Sequence, residues 1–502
     1  MPIKKVLIIN KQNSYKEMNK IFQKMTVAIL TVVFSASLVQ AQEVNMDRYI
    51  TMTIKDKKKI WIRLWADADN TKIKIKSGNK EQTVTVDNKW AKWQGYTAEE
   101  GTGTMIIYGN VKKLDCSNNA SNITGLEIKH NTQLQDLLCY SNSITSLDVS
   151  HNIQLKVLGC FSNSITSLDV GNNAQLIDLD CHKNKITSLD VSNNTQLTKL
   201  FCMENSITSL DVSNNTQLKL LNCSENKIST LDVSKNTQLD KLYCAKNSIT
   251  SLDISKNEKL TGLDCSENQI STFDLSKNTQ LEWLYCYENS ITSLDISKNT
   301  QLKNLRCYNN RLTVLDVSKN TQLEWLYCHE NSITSLDISK NTQLKDFVLH
   351  NNNFTTAVID DIYCYLPDRR GKATGIIRPV LNASSSEKSK ILASNGKNAT
   401  DKNWKIMYYK EKLEITGFTG THTCTSNTEE VENISSLLVY PNPVKDILHI
   451  TSDKPIHSIH VYDVYGMEVL HAVNTNNINV SHLQAGVYMV HVDGKIMKVI
   501  KE

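Results

Sequence analysis

The segment LKVLGCFSNSITSLDV, residues 155–170, decides the fold of this chain because its pattern recurs every 21 residues. A cysteine occupies the same slot in ten successive units, from Cys139 to Cys328, and Leu349 takes the next slot. Cys116 begins the series, 23 residues before that run. Self-similarity at a fixed period of this length indicates one structural unit per repeat, stacked on its neighbours into a solenoid.

The spacing of apolar residues within one unit explains the stacking. Leu158 and Cys160 are two residues apart, so both point inward from a short strand. Ile165 and Val170 supply the opposite wall of the coil, and no single coil can bury these groups alone. The period and the pattern L-x-x-L-x-C-x-x-N-x-I-x-x-L-D predict a mainly β leucine-rich-repeat solenoid of about 12 coils over residues 111–352.

Three rows of polar residues repeat with the same period. We expect Asn163 and its equivalents to point inward and to satisfy backbone groups at a turn, and the row containing Asn152 to do the same at the other turn. The row containing Asp169 predicts local hydrogen bonds near the Thr-Ser pair of each ITSLD segment, with a calcium ladder as the alternative. A lysine row that begins at Lys235 relieves the repulsion between these carboxylates.

The cysteine column predicts small buried hydrophobic side chains and no disulfides. In-register neighbours have parallel Cβ vectors, so their Cβ atoms stay nearly 5 Å apart, which is wider than a disulfide requires. Cys364 and Cys424 lie outside the column. We expect Cys364 to pack in the C-terminal cap and Cys424, which sits in a polar stretch, to be an exposed thiol.

The cysteine-bearing 21-residue coil resembles the cysteine-ladder branch of the internalin-like leucine-rich repeats over about half of the chain. Members of that family are surface proteins that bind host or neighbour-cell ligands. The resemblance therefore implies adhesion rather than catalysis, and a protein or glycan partner on another cell. It names no ligand.

The flanking segments predict an export signal and two caps. Residues 1–41 carry Lys20 and Lys24 before a short apolar run that ends in a small-residue cleavage pattern, as in a signal peptide. A membrane anchor is the alternative. Alternating apolar and polar residues predict a β-rich N-terminal cap over 43–110, and residues 353–417 predict a mixed α/β C-terminal cap.

Local patterns refine both caps. The segment Asp67-Ala68-Asp69-Asn70 predicts a turn, since the glycine and the late glutamate of a calcium loop are missing. In the C-terminal cap we expect a helix over 358–366, a strand over 376–381, a second, polar helix and a strand over 404–407.

The C-terminal segment carries a second resemblance. Residues 418–433 are polar and predict a linker, and the alternating runs of 434–502 predict a small β-sandwich. The latter is similar to the C-terminal sorting domain of type IX secretion. The matching residues are Tyr440, Pro441, Asn442, Pro443, Asp446, Val461, Tyr462, Asp463, Gly466, Leu483, Gly486, Val487, Tyr488 and the final basic strand 498–501.

The sorting-domain resemblance implies where the protein is delivered. It implies handling by the type IX machinery, passage from the periplasm across a Gram-negative outer membrane, and removal of residues 434–502. The remainder would then stay anchored at the surface or be released, with no transmembrane segment left after signal cleavage. The cut would fall within the linker.

The three outward-facing slots of each coil locate a candidate binding site. These slots precede the second Leu, precede the Cys and follow the Cys, and they lie on the concave side of the solenoid. Three consecutive coils place large aromatic residues and one arginine there, which is the composition of interface hot spots and of sugar-stacking platforms. The candidate ligand-binding residues are Trp283, Tyr285, Tyr287, Arg306, Tyr308, Trp325, Tyr327 and His329. Structural shielding of the sheet is the alternative.

Other function classes are less well supported. The net charge is +4, but the first 41 residues hold +5, so the rest of the chain is at −1 and lacks the basic surface of a nucleic-acid-binding protein. No G-x-S-x-G or H-E-x-x-H motif occurs, and no cofactor is predicted. The alternative is a surface enzyme or metal-dependent hydrolase that uses His329 and His350 near Glu330, although the sequence offers no clear third ligand or catalytic base.

Overall fold

The computed structural model describes residues 43–55, 58–424, 438–452, 455–456, 458–464, 467–473, 475–492 and 495–502. The predicted signal peptide, 1–41, lies outside these residues, as does the linker from 425 onward. The chain forms two compact units, Met1–Asn310 with Asp316–Cys328, and Arg311–Leu315 with His329–Glu502.

The first unit begins with the predicted β-rich cap. Its strands are β1 Tyr49–Ile54, β2 Lys59–Ala66, β3 Thr71–Ser77, β4 Lys80–Val86, β5 Gln94–Thr97 and β6 Thr104–Tyr108. Alternate residues of β1 are buried, as a half-buried strand requires. The predicted turn connects β2 to β3, where the backbone N–H of Asn70 donates to Asp87 and that of Asn88 donates to Asp69.

The cap leads into the solenoid through two further strands. These are β7, Val111–Asp115, and β8, Ile123–Glu127. Strand β8 joins the cap sheet, whose order is β4-β3-β6-β1-β8. Strand β7 pairs antiparallel with β2 on one side and parallel with the first regular coil strand on the other, so it links the cap to the repeats.

Three-residue strands 21 residues apart build the parallel sheet of the first unit. Together with β7 they give eleven parallel strands, and the middle residue of each short strand is buried. The predicted solenoid of 21-residue coils is thereby confirmed. The short strands are β9 Asp136–Leu138, β10 Val157–Gly159, β11 Asp178–Asp180, β12 Lys199–Phe201, β13 Leu220–Asn222, β14 Lys241–Tyr243, β15 Gly262–Asp264, β16 Trp283–Tyr285, β17 Asn304–Arg306 and β18 Trp325–Tyr327.

The asparagine rows satisfy backbone groups at both turns, as predicted. The Asn163 amide donates to the carbonyls of Cys139 and Cys160 at 3.1 and 3.0 Å and accepts from the N–H of Ile144 at 2.9 Å. The Asn173 amide donates to the carbonyls of Val149 and Asn152 at 3.0 and 2.8 Å. Each asparagine thus joins neighbouring coils where no strand ladder exists.

The aspartate row makes local hydrogen bonds, but with a different partner from the one predicted. Asp190 accepts from the backbone N–H of Ser192 at 2.9 Å, and its equivalents repeat this contact. The partner is the residue two positions later, because the carboxylate closes the turn that follows it, and not the preceding Thr-Ser pair. This hydrogen bond lowers the pKa of Asp190.

The cysteine column is buried and unbridged, as predicted. All eleven cysteines from Cys116 to Cys328 are buried, and none of them forms a disulfide. Burial raises the pKa of Cys223 to about 12, so this thiol is protonated in the folded protein. The column therefore acts as a row of small apolar side chains.

The prediction for Cys424 was wrong. Cys424 forms a disulfide with Cys364, with Cα atoms 5.4 Å apart. Polar composition predicts exposure, but the segment before Cys424 lies on the cap: the N–H of Thr419 donates to Leu392, and the Asn395 amide donates to the carbonyl of His422. Residues 418–424, assigned to the linker from composition, thus pack against the C-terminal cap.

The elements of the C-terminal cap are β19 Asp346–Val348, α1 Thr356–Tyr365, β20 Gly375–Val380, α2 Lys388–Leu392, α3 Lys397–Thr400 and β21 Trp404–Tyr408. Strands β19, β20 and β21 are parallel. Helix α1 begins two residues earlier than predicted because the Thr355 side chain accepts from the N–H of Val358 and caps it.

The sorting segment is a β-sandwich, as predicted. One sheet has the order β22-β23-β26 and the other β25-β24-β27-β28. Both sheets contribute to one buried core, which contains Leu448 and Ile450 from the first and Ile459 and Val490 from the second. The strands are β22 Leu438–Tyr440, β23 Ile447–Thr451, β24 Ser458–Tyr462, β25 Glu468–Val473, β26 Asn477–Asn479, β27 Gly486–Val492 and β28 Lys495–Lys501.

Candidate ligand-binding surface

The outward-pointing side chains of the parallel strands, with those that follow each cysteine, form a surface that we name the sheet face. Seven of the eight predicted binding residues lie on it within the first unit, and all seven are half-buried. We name this group the aromatic patch: Trp283, Tyr285, Tyr287, Arg306, Tyr308, Trp325 and Tyr327. Strands β16, β17 and β18 hold it in register.

Arg306 occupies the centre of the aromatic patch. Its guanidinium carbon lies 4.6 Å from the ring centroid of Tyr285 and 5.1 Å from that of Tyr327, so two rings on neighbouring strands enclose the cation. Both contacts are cation–π interactions. The Nε atom of Arg306 is buried and has no hydrogen-bond partner among the described residues.

Trp283 extends the patch toward earlier coils through a glycine that sequence reasoning missed. A Cβ atom on Gly262 would lie 1.9 Å from the Trp283 ring, so the indole occupies the space that any other residue there would fill. This position brings the indole to 5.3 Å from the Tyr243 ring. The signal in the sequence was a glycine in an outward slot one coil before a tryptophan.

Two further contacts fix the tyrosines. The Asn304 amide donates to the Tyr285 hydroxyl at 3.0 Å. Tyr287 and Tyr308 stack with centroids 4.4 Å apart and planes 8° apart, so each covers one face of the other. These contacts restrict the rotation of the rings, and a ligand would meet side chains that are already ordered.

A second aromatic row lies on earlier coils. Phe161 stacks between Tyr140 and His182, at 4.2 and 4.4 Å, with planes within 12°. His182 in turn approaches Asp180 at 2.6 Å. This row was not predicted, although its signal is visible in the sequence as an aromatic side chain in the slot after the cysteine of three consecutive coils.

A tryptophan cluster on the N-terminal cap was also missed. Trp61 and Trp65 alternate with Arg63 along β2, and Arg63 lies 4.6 Å from the Trp90 ring and 5.0 Å from the Trp93 ring. Four of the seven tryptophans of the chain lie within residues 61–93, a density that could have been read from the sequence.

His329 belongs to the second compact unit, whereas the other seven predicted binding residues belong to the first. Its ring centroid is 4.5 Å from that of His350, and ligand atoms of His329, Glu330 and His350 all lie within 4.8 Å of one another. His329 and His350 are 3% and 1% exposed. Burial lowers the pKa of His329 to about 3 and that of His350 to about 4, so both imidazoles are neutral near pH 7.

The predicted sorting residues are distributed around the last strand. The Asn442 amide donates to the carbonyl of Lys498 at 2.9 Å and accepts from the N–H of Ile500 at 2.8 Å. The Tyr440-Pro441 and Asn442-Pro443 peptide bonds are cis.

The glycines of the motif differ in what the structure shows of them. Gly486 begins β27, and the Tyr488 hydroxyl in that strand donates to the carbonyl of Gln484. Gly466 lies outside the described residues.

Comparison with protein families supports the predicted export route. Residues 438–502 match the family described as "Secretion system C-terminal sorting domain". This match confirms the predicted sorting domain and, with it, delivery by type IX secretion to the cell surface or into the medium. Within the described part of the chain, no helix is both long and apolar enough to cross a membrane. A search of curated proteins finds no match.

Solved structures similar to this chain include leucine-rich-repeat proteins of bacteria. An internalin, InlF, of Listeria monocytogenes is 24% identical with a TM-score of 0.48, covering 51% of this chain and 78% of that one. The functional domain of InlJ from Listeria monocytogenes, described as including a cysteine ladder, is 27% identical with a TM-score of 0.40. The match covers 78% of this chain and 91% of that one. A leucine-rich-repeat protein of Leptospira interrogans is 23% identical with a TM-score of 0.42, and the match covers 48% of this chain and 72% of that one.

Proposed function

We propose that this exported protein binds a protein or glycan of a host or neighbouring cell through the aromatic patch and thereby serves in adhesion. The observation that carries the proposal is the enclosure of Arg306 between the rings of Tyr285 and Tyr327 on a half-exposed sheet face. Aromatic and arginine side chains dominate binding hot spots, and a cation held between two rings is already positioned for a ligand.

The geometry favours a protein ligand over a glycan. Sugars bind best to open ring faces, whereas Tyr287 and Tyr308 each cover one face of the other. Trp283 leans over Gly262 and so has one face turned toward its own sheet. Ring edges, hydroxyl groups and the guanidinium are better suited to the mixed polar and apolar surface of a protein.

The competing hypothesis, a surface hydrolase using the His/Glu cluster, is less well supported. His329 and His350 are 3% and 1% exposed, and a general base must come within hydrogen-bond reach of its substrate. Turnover assays of the mature protein on ester, peptide and glycoside substrates separate the two hypotheses. Turnover that is lost in His350→Phe would favour the enzyme.

The test of binding uses two matched double variants. A glycan array and a panel of purified extracellular proteins are first screened with the wild-type protein to identify what it binds. Trp325→Ala with Tyr327→Ala should then weaken that binding by at least about tenfold, because central aromatics typically contribute about 2 kcal/mol or more. Lys256→Ala with Lys277→Ala, on two exposed residues of the lysine row, should leave it unchanged. If the lysine variant loses binding and the aromatic variant keeps it, the ligand binds at the lysine and aspartate rows instead.

A further inference from the structure

Three residues with metal-binding side chains converge at the start of the second unit. His329 and Glu330 are adjacent in sequence, and His350 occupies the equivalent slot one coil later. Their ligand atoms lie within 4.8 Å of one another. Spacing alone offered no clear third ligand, whereas the fold brings a Glu330 carboxylate oxygen within 4.8 Å of a nitrogen of each imidazole.

The backbone holds these ligands independently of any ion. Glu330 adopts a left-handed conformation with φ of 54°, as do the residues at the same slot in other coils, among them Glu288 and Glu267. Its N–H donates to the carbonyl of His350 at 2.9 Å. The solenoid therefore fixes the three Cα positions before a ligand arrives, which reduces the entropic cost of binding.

His350 has an unmet requirement for a polar partner. It is 1% exposed, and neither of its ring nitrogens has a hydrogen-bond partner among the described residues. Leaving a buried polar group without a partner is unfavourable, so such groups usually face an ordered water or an ion. The Tyr409 ring lies 4.9 Å from the His350 ring and 5.3 Å from the His329 ring and covers them both.

We propose that His329, Glu330 and His350 bind one divalent transition-metal ion of the Zn²⁺ class. Two imidazoles and one carboxylate are a ligand set that such ions prefer, whereas Ca²⁺ and Mg²⁺ prefer oxygen ligands alone. Tetrahedral Zn²⁺ with bonds of about 2.0–2.1 Å places its ligand atoms about 3.4 Å apart. The three ligand atoms, which lie within 4.8 Å of one another, need only small side-chain movements to reach this spacing.

The surroundings favour a structural ion over a catalytic one. Tyr409 covers the imidazoles, and the cluster joins two coils where the C-terminal cap begins. Lys410 places a positive charge near His350 and opposes a cation, while the Glu330 carboxylate offsets part of that charge. Lys410 is exposed, so water screens its effect. Because Lys410→Gln removes the opposing charge, it should tighten metal binding slightly.

Metal titration of the mature protein tests the proposal. The protein is treated with a chelator, dialysed, and titrated with Zn²⁺ by calorimetry and with Co²⁺ by visible absorption. We expect about one ion per chain, an absorption spectrum typical of tetrahedral Co²⁺, and a higher Tm with Zn²⁺. Glu330→Gln should weaken binding at least about tenfold, and His350→Phe should abolish it.

The controls separate this site from other surface histidines. His151 is exposed on another part of the solenoid, and His151→Gln should bind Zn²⁺ as the wild type does. If His350→Phe fails to fold, the Glu330→Gln titration decides, because this change preserves size and shape. Zn²⁺ affinity that is undetectable in the wild type, or equal in wild type and Glu330→Gln, overturns the proposal.

Discussion

The buried rows of the solenoid and its sheet face are built by the same coils and follow opposite rules. At the buried slots the same residue recurs, as in the asparagines Asn152, Asn173 and Asn194, each fully buried and each bonded to the neighbouring coil. On the sheet face the first strand residue changes from coil to coil, from Lys241 to Gly262 and then to Trp283 in three successive coils. Repetition thus marks the positions that stack the coils, and its loss marks positions that stacking does not constrain.

This comparison predicts that equivalent-looking changes will have very different effects on stability. Stacked coils share each buried hydrogen bond, so its loss weakens two coils at once. A sheet-face side chain contacts only its neighbours on the surface.

Two adjacent asparagines give the sharpest contrast. The buried Asn194 amide donates to the carbonyls of Val170 and Asn173, and Asn194→Ala should lower the free energy of unfolding by about 2–4 kcal/mol, since both carbonyls stay buried without that donor. The exposed Asn193 amide donates to Gly171, and Asn193→Ala should lower it by about 0.5 kcal/mol or less. Urea denaturation measures both.

Equal effects of the two asparagine variants would break the comparison. The buried row would then contribute no more than a surface row, and the stacking would have to rest on the apolar residues alone. A urea-denaturation midpoint for Asn194→Ala equal to that of the wild type would lead to the same conclusion.

A substitution in the cysteine column should lower the stability less than Asn194→Ala does. Cys223 is fully buried, and its Sγ lies 3.6 Å from the carbonyl oxygen of Tyr243. Cys223→Ser should lower the free energy of unfolding by about 1–3 kcal/mol, because it places a hydroxyl group in an apolar row. Cys223→Val, which keeps the row apolar, should be milder.

Thiol labelling gives an independent check on the column. Burial raises the pKa of Cys223 to about 12, so the reactive thiolate is scarce as well as inaccessible. The column thiols should react only as the protein unfolds. Rapid modification of most of them in the native protein would contradict the buried column.

The same contrast explains what could be predicted from the sequence. Period and polarity predicted the coil, the buried cysteines and the asparagine rows, because each of these depends on residues that repeat at fixed spacing. They could not predict the Cys364–Cys424 disulfide, which joins residues 60 apart through packing of the cap. The helix start at Thr356 likewise depended on a single capping side chain.

The candidate site was predicted in composition but not in contacts. The outward slots of three consecutive coils placed Arg306, Tyr285 and Tyr327 on one surface, since in-register strands align those slots. The spacing did not predict that Trp283 would cover Gly262, because the direction of an exposed side chain depends on the space beside it. It placed His329 and His350 near Glu330 but did not identify the carboxylate as a third ligand, because that depends on the left-handed backbone conformation of Glu330.

Gly262 tests whether the sheet face is organised beyond its strands. A Cβ atom at this position would lie 1.9 Å from the Trp283 ring, so Gly262→Ala should displace the indole from Tyr243. We expect a loss of stability of about 1 kcal/mol or less, because a half-buried ring moves without opening the core. Near-UV circular dichroism should change and ligand binding should weaken.

The matched control for Gly262 is another glycine of the solenoid. A Cβ atom on Gly171 would lie 3.2 Å from an Asp169 oxygen and would meet no ring. Gly171→Ala should therefore leave the near-UV spectrum and ligand binding as in the wild type. If both glycine variants bind like the wild type, the position of Trp283 does not matter for recognition.

Arg306 should show the smallest effect on stability and a large effect on binding. Arg306→Lys keeps the positive charge but removes the planar guanidinium that lies between Tyr285 and Tyr327. Each cation–π contact at a half-exposed site contributes about 0.5–1 kcal/mol, and the lysine retains part of it, so the unfolding midpoint should move little. Binding of the ligand identified by screening should weaken by about tenfold or more, because the lysine cannot donate in the same planar geometry. If Arg306→Lys binds like the wild type while Arg306→Ala does not, the ligand recognises charge alone. If both bind like the wild type, the sheet face is a structural surface, and the contrast with the buried rows reflects freedom from packing rather than selection for a ligand.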